Sequence, residues 1–129
     1  MSTDENKAVV RRFHDAYNRR DVAGLKDTAT ADLAKRVIEV SIPKNSATWA
    51  DERYEITDMI AEGDQVWARI TSSGRQIGEV YGLPPTGKAF SGPAVTFMRV
   101  LDGKASEIVG MGDGLWQVRQ LGGKIVPAG

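Results

Sequence analysis

The chain has 129 residues, with 17 basic residues against 17 acidic residues, a single histidine and no cysteine. This length fits one domain spanning residues 1–129. The balanced charge argues against a nucleic-acid binder, because such proteins need a basic excess to neutralise phosphates. The lack of cysteine excludes disulfides, thiolate nucleophiles and cysteine-zinc sites, and one histidine is too few for a multi-histidine metal centre.

Neither a membrane span nor a secretion signal is evident in the sequence. No apolar run approaches the roughly 18 residues that a spanning helix needs. The opening segment MSTDENKAVVRRF lacks the basic start and the apolar block of a signal peptide. We therefore expect a cytoplasmic protein without membrane contact.

Helices are predicted in the first part of the chain. Ser2 and Glu5 have the spacing of a capping box at the start of a helix over residues 5–19. Asp21 is predicted to cap a short second helix. The apolar side chains of the first helix recur at helical spacing and form one stripe: Val9, Val10, Phe13, Ala16 and Tyr17.

Strands are predicted from residue 36 onward, because β-branched and alternating segments replace the helical pattern. The segment KNSATWAD is predicted to be a polar loop with at most one helical turn. A last short helix is predicted over residues 113–121, with Asp113 as its cap. The predicted strands are residues 36–43, 53–61, 65–73, 75–81, 89–100 and 104–112.

This order of elements predicts an α+β fold. Helices followed by strands that are joined through short turns, such as Asp102-Gly103, favour an antiparallel sheet. A bent antiparallel sheet wrapped over the N-terminal helices forms a cone-shaped barrel around an apolar cavity, and we expect that architecture.

The segment GLPPTGK at residues 82–88 has the spacing of a phosphate-binding loop but lacks its chemistry. Pro84 and Pro85 remove two backbone N–H donors, and Ala89 stands where magnesium binding requires a hydroxyl. The residues that follow favour a strand, whereas a phosphate-binding loop opens a helix. We interpret the segment as a tight connection between two strands.

Several segments, in order, resemble the SnoaL-like polyketide cyclases of the nuclear transport factor 2-like superfamily: NKAVVRRFHDAYNRRDVAGL, EGDQVWARITSSG, GEVYGLPPTGKAF and RQLG. The resemblance implies a cone-shaped α+β barrel, a homodimer, and a small-molecule substrate handled without metal or organic cofactor. The activity it favours is that of a cyclase or isomerase acting on a polyketide-like intermediate. A non-catalytic binder that uses the same pocket is the alternative, and an epoxide hydrolase-like or hydroxylase-like activity ranks third.

The chain departs from the family pattern at positions expected to carry chemistry. Gln76 stands where family cyclases often have a histidine, Gly110 where many have the acid/base aspartate, and Val109 where many have a tryptophan. Arg69 matches the arginine of an Arg-x-Asp pair whose aspartate is missing here. The stretch before Tyr54 is short, so the family's third helix is expected to be absent.

The expected catalytic residues are Asp113, Arg69 and Gln76. Asp113 is either a general acid or base, or only the cap of the last helix. Arg69 binds a carboxylate or enolate if it faces into the cone, and Gln76 orients the substrate by hydrogen bonds. The residues expected to contact the substrate are Tyr17, His14, Trp67, Glu79, Tyr81 and Val109.

Strand alternation and residue size shape the expected cavity. Trp67 and Arg69 are two apart and share one strand face, and Gly110 and Gly112 leave room beside them. His14, at the edge of the helix stripe, is expected to be half-exposed rather than catalytic. The second face of the sheet also carries apolar side chains, which predicts a two-fold dimer through that face.

Overall fold

The computed structural model describes residues 1–128, and its N-terminal part is helical. Helix α1 spans Thr3–Arg19, α2 spans Val22–Thr28, α3 spans Ala31–Arg36 and α4 spans Ile42–Thr48. A π-helical segment, Val37–Ser41, joins α3 directly to α4. Within residues 1–128, no helix combines the length and the apolarity needed to cross a membrane.

The rest of the chain forms one sheet and a closing helix. Strand β1 spans Trp49–Glu62, β2 spans Gln65–Gln76, β3 spans Ala89–Leu101 and β4 spans Lys104–Gly112. Helix α5 spans Gly114–Gln120. The strands pair in the order β1-β2-β3-β4, and every neighbouring pair is antiparallel. The predicted α+β architecture with an antiparallel sheet is confirmed.

Helix α1 positions the rest of the fold. Its capping box is formed, because the Ser2 side chain accepts from the Glu5 backbone N–H and the Glu5 side chain accepts from that of Ser2. The helix contacts all four strands and defines the inner face of the sheet. Its buried stripe, which includes Val10 and Phe13, packs with inward side chains such as Val66 and Met98.

The prediction of a strand over residues 36–43 is wrong, and so is that of a polar loop after it. The chain is helical from Ala31 to Thr48, so the helix expected to be absent is present as α3. Thr30 caps α3 by accepting from the Leu33 backbone N–H. Leu33 and Val37 are buried in the core, and this packing outweighs the β preference of the branched residues. Pro43 is the second residue of α4, which directly follows the π-helical segment, where the regular helical hydrogen bonding is already interrupted.

The predicted strand over residues 75–81 is also wrong beyond its first two residues. Strand β2 ends at Gln76, and residues 77–88 form the connection to β3. One isolated bridge, between Val80 and Leu83, tightens this loop. Gly82 and Gly87 have φ values of 75° and 71°, a left-handed backbone that glycine adopts without strain. GLPPTGK therefore connects two strands, as interpreted.

Candidate active site

A cavity of about 390 Å³ lies between α1, the inner face of the sheet and α5. Its apolar walls include Phe13, Val37, Ile70 and Ile108. Its polar lining comes from His14, Tyr17, Ser41, Asn45, Tyr54, Ser72, Tyr81, Thr96 and Gln117. Gly110 and Gly112 also line it, which agrees with the expectation that this strand leaves room there.

His14 lies in the wall of the cavity and is buried, with 5% of its surface exposed. Its Nδ1 lies 3.0 Å from the carbonyl oxygen of Val10, one helical turn earlier. Because a carbonyl only accepts, Nδ1 carries the proton and Nε2 presents a lone pair. Nε2 lies 3.5 Å from the Thr96 hydroxyl oxygen. Burial lowers the pKa of His14, and the Val10 hydrogen bond opposes that effect only in part.

A buried polar network closes the cavity beside Tyr17. The Tyr17 hydroxyl donates to Glu52 Oε1 at 2.8 Å and accepts from Asn45 Nδ2 at 2.8 Å. Tyr54 donates to the other carboxylate oxygen at 2.9 Å. Arg20 Nη2 lies 2.9 Å from Glu52 Oε1, and its guanidinium stacks over the Tyr17 ring at 4.5 Å. The Glu52 side chain is only 3% exposed, so this carboxylate is held by protein groups.

The network keeps both tyrosine hydroxyls protonated. Burial raises the pKa of Tyr17 to about 12, and the charge of Glu52 adds to that effect against the hydrogen bond from Asn45. Burial and the Glu52 charge also raise the pKa of Tyr54. Near neutral pH neither phenol ionises, so neither is available as a phenolate to accept a proton. Both shape the cavity and contribute hydroxyl oxygens to its wall.

The sequence analysis did not single out Glu52. The signal available was its position two residues before Tyr54, which places both side chains on one strand face. A charged residue in an alternating strand is usually solvated, however. Two partners of Glu52, Tyr17 in α1 and Arg20 just after that helix, lie far away in sequence.

Arg69, Trp67 and Val109 lie outside the cavity, so their expected position inside the cone is wrong. All three are exposed on the outer face of the sheet, and Arg69 pairs with Asp58 across 3.4 Å. The first half of strand β2 alternates strictly: Val66, Ala68 and Ile70 are buried, and the residues between them are exposed. These three residues therefore do not contact a ligand in the cavity.

Gln76 does not face the cavity either, because it is fully buried and holds the 77–88 loop together. Its Nε2 donates to the carbonyl oxygens of Gly78, Leu83 and Pro84 at 3.0 to 3.2 Å. Its Oε1 accepts from the backbone N–H and the hydroxyl of Thr86. Every hydrogen-bonding atom of the amide is used within the protein, and none is left for a substrate.

Asp113 is exposed and caps α5, where its Oδ1 accepts from the Trp116 backbone N–H at 2.9 Å. It does not line the main cavity but borders an adjoining recess beside Trp116. Glu79 is exposed on the loop and lines neither space, whereas Tyr81 lines both. Of the residues expected to contact a substrate, the cavity brings together Tyr17, His14 and Tyr81.

Among residues 1–128, no cluster of His, Asp or Glu side chains has the arrangement of a metal site. In the same part of the chain, no aspartate or glutamate lines the main cavity. The site is therefore an apolar space with neutral polar groups and one imidazole. Such an environment favours chemistry in which charge develops transiently and is stabilised by nearby donors.

A bent antiparallel sheet closed over an amphipathic helix, with a ligand-sized cavity between them, defines the nuclear transport factor 2-like class. The structure of TsrD from Streptomyces laurentii has the same fold, with a TM-score of 0.77 and 27% identity, over 95% of this chain and 98% of that one. The family model of the SnoaL-like polyketide cyclases matches residues 7–121. The chain belongs to this family.

Two curated relatives carry cyclase names. The chain is 28% identical to the aklanonic acid methyl ester cyclase AcmA of Streptomyces galilaeus, over 92% of this chain and 91% of that protein. It is 38% identical to the nogalonic acid methyl ester cyclase of Streptomyces nogalater over 77 residues. That segment spans 59% of this chain and 58% of the relative.

Proposed function

We propose that this protein is a polyketide cyclase that closes a carbocyclic ring within a polyketide methyl ester. Family membership and the names of the two cyclase relatives support this function. The observation that carries it is the cavity. Its volume of about 390 Å³ lies in the range of roughly 300–1,000 Å³ that is usual for small-molecule sites.

The chemistry that fits this cavity is an intramolecular aldol reaction. A base removes a proton from a carbon between two carbonyl groups, and the resulting enolate carbon bonds to a ketone carbon of the same molecule. The alkoxide that forms then takes up the proton, so the product is an isomer of the substrate. Since no atom or electron is exchanged with a second reagent, we expect turnover without an added metal or organic cofactor.

A second candidate function is non-catalytic binding of the same type of molecule in the same cavity. Catalysis and binding are separated by turnover, because both fill the cavity but only an enzyme converts the ligand. Hydrolysis of an epoxide has less support, because the part of the chain that the structure describes places no carboxylate in the cavity wall.

The test is incubation of the purified protein with aklanonic acid methyl ester and, separately, with nogalonic acid methyl ester. Chromatography with mass detection should show a new product with the same mass as the ester. This product should form faster than in a control incubation with heat-denatured protein. A binder would retain the ester and release it unchanged. Recovery of the ester with neither conversion nor binding would refute both functions.

Two matched variants tie activity to the cavity. Gly110→Leu projects a side chain into it, and a Cβ at this position meets only Thr96, at 4.0 Å. The chain is therefore expected to fold while the substrate loses space. Arg69→Ala, on the outer face, is the control and should keep full turnover. Equal effects of the two variants would contradict the placement of the reaction in the cavity.

We also propose a two-fold dimer through the outer face of the sheet. Ile60, Trp67, Phe97 and Val109 are cross-strand neighbours there and form an apolar row across all four strands. Ile60 is 71% exposed and Val109 is 50% exposed. A contiguous apolar row of this kind favours association, and a symmetric partner would cover it with the same surface. Light scattering at micromolar concentration should give twice the monomer mass.

A further inference from the structure

The cavity contains one group that can accept a proton near neutral pH. Its titratable lining residues are His14, Tyr17, Tyr54 and Tyr81, and no Asp, Glu, Lys or Arg lines it within residues 1–128. The Tyr17 and Tyr54 hydroxyls are committed as donors to the buried Glu52. The imidazole of His14 therefore stands alone as a possible base.

The geometry of His14 prepares one nitrogen for this role. The Val10 carbonyl fixes the proton on Nδ1, which leaves the lone pair on Nε2. The neighbour of Nε2 is the Thr96 hydroxyl, and the 3.5 Å separation marks at most a weak hydrogen bond. Thr96 lines the cavity together with His14, so Nε2 lies at the wall where a substrate would bind.

We propose that His14 is the catalytic base of this cavity and that its Nε2 atom takes the proton from the substrate carbon. This inference rests on the proposed cyclase function and deepens it by naming the group that performs the proton transfer. Nε2 removes the proton, the enolate carbon forms the new carbon–carbon bond, and the imidazolium returns the same proton to the alkoxide. The atoms balance, and the histidine ends the cycle neutral.

The surroundings of His14 suit a base that must be neutral at rest. Burial among apolar residues disfavours its charged form, and the Val10 carbonyl accepts the Nδ1–H in both protonation states. The Thr96 hydroxyl can turn its oxygen toward Nε2–H once the imidazolium forms. Protonation is therefore disfavoured before the reaction but accommodated during it.

The test compares the wild-type protein with His14→Gln, using aklanonic acid methyl ester as the probe. The variant is expected to lose at least about 100-fold in kcat, while quenching of tryptophan fluorescence shows that it still binds the ester. In the wild type, kcat/KM should fall as the pH drops through a pKa below the usual 6.5 of histidine. His14→Gln should lack this acid limb, which a purely structural role would not remove.

Two measurements on the wild-type protein need no variant. The chain has one histidine, so nitrogen NMR of the imidazole reports its tautomer and titration directly, and Nδ1–H with a pKa below 6.5 supports the assignment. Protonation on Nε2 in the free protein would overturn it.

Retention of more than about one third of the wild-type kcat by His14→Gln would also overturn the assignment of His14 as the base. Failure of the wild type to convert the ester would instead overturn the proposed function.

Discussion

Replacing Gln76 by methionine tests whether this buried amide holds the 77–88 loop. Methionine has a similar length and fills the space, but it neither donates nor accepts the amide's hydrogen bonds. The substitution removes the contacts to the carbonyls of Gly78, Leu83 and Pro84 and those from the backbone N–H and hydroxyl of Thr86.

The expected loss follows from the number of bonds that can form at once. The amide has two N–H hydrogens, which three carbonyls share, and its oxygen accepts from two Thr86 groups, so about four bonds are effective. A neutral hydrogen bond contributes roughly 0.5–1.5 kcal/mol, and a buried group left without a partner costs about 1–3 kcal/mol. Pro84 and Thr86 are exposed and can turn to water. We therefore expect a loss of about 2–4 kcal/mol in the free energy of unfolding.

Urea denaturation of the wild type and of Gln76→Met measures this loss, and trypsin cleavage after Lys88 reports on the loop itself. Arg75→Met is the matched control, since Arg75 precedes Gln76 in the same strand, is exposed, and should change stability by no more than about 0.5 kcal/mol. A loss below about 1 kcal/mol for Gln76→Met, with cleavage after Lys88 no faster than in the wild type, would refute the reasoning.

Three further predictions concern single side chains. Asp113→Ala should lower the free energy of unfolding by about 1 kcal/mol through loss of the α5 cap and keep turnover; a collapse of activity with unchanged thermal stability would instead show chemistry at Asp113. Gly110→Asp places a carboxylate across Thr96 from His14 and should raise the pKa of His14 in an NMR titration, whereas an unchanged titration would contradict their proximity. Trp67→Lys should convert the dimer to a monomer in light scattering, and a persistent dimer would exclude the outer apolar row as its interface.

The amphipathic helix and the antiparallel arrangement of the strands could be predicted, because periodicity and short turns are local patterns. The stripe from Val9 to Tyr17 has helical period, and the turn at Asp102-Gly103 has positive φ at both residues, as this residue pair favours. The cavity glycines, Gly110 and Gly112, could be predicted from their small size. These features need no knowledge of what packs against them.

The helical segment from Ala31 to Thr48 could not be predicted in the same way. Its residues VIEVS favour a strand by propensity, and the decisive contacts, the burial of Leu33 and Val37 in a core shared with α1, are tertiary. A related limit applies to His14. Its position at the edge of the stripe suggested partial exposure, yet the curvature of the sheet brings Thr96 of β3 over it.

The strand β2 shows why the candidate site was misplaced. Alternation shows which residues share a face of a strand, but not which face is directed toward the core. A strand with apolar residues on both faces is therefore compatible with either orientation. Composition settles which face points inward here: Val66, Ala68 and Ile70 are all apolar and are all buried. The other face combines Trp67 with the charged Arg69, which is exposed.

The same fact gives Trp67 and Arg69 a different expected role. On the outer face Trp67 packs against Phe97 at a ring separation of 5.0 Å, and Arg69 with Asp58 lies directly beside the apolar row. An apolar centre with charged residues at its border is the usual composition of a protein–protein interface. If the proposed dimer forms there, Arg69→Ala weakens association without changing kcat, whereas a residue of the cavity does the reverse. Measuring both the association and the kcat of Arg69→Ala and of a cavity variant therefore separates assembly from catalysis.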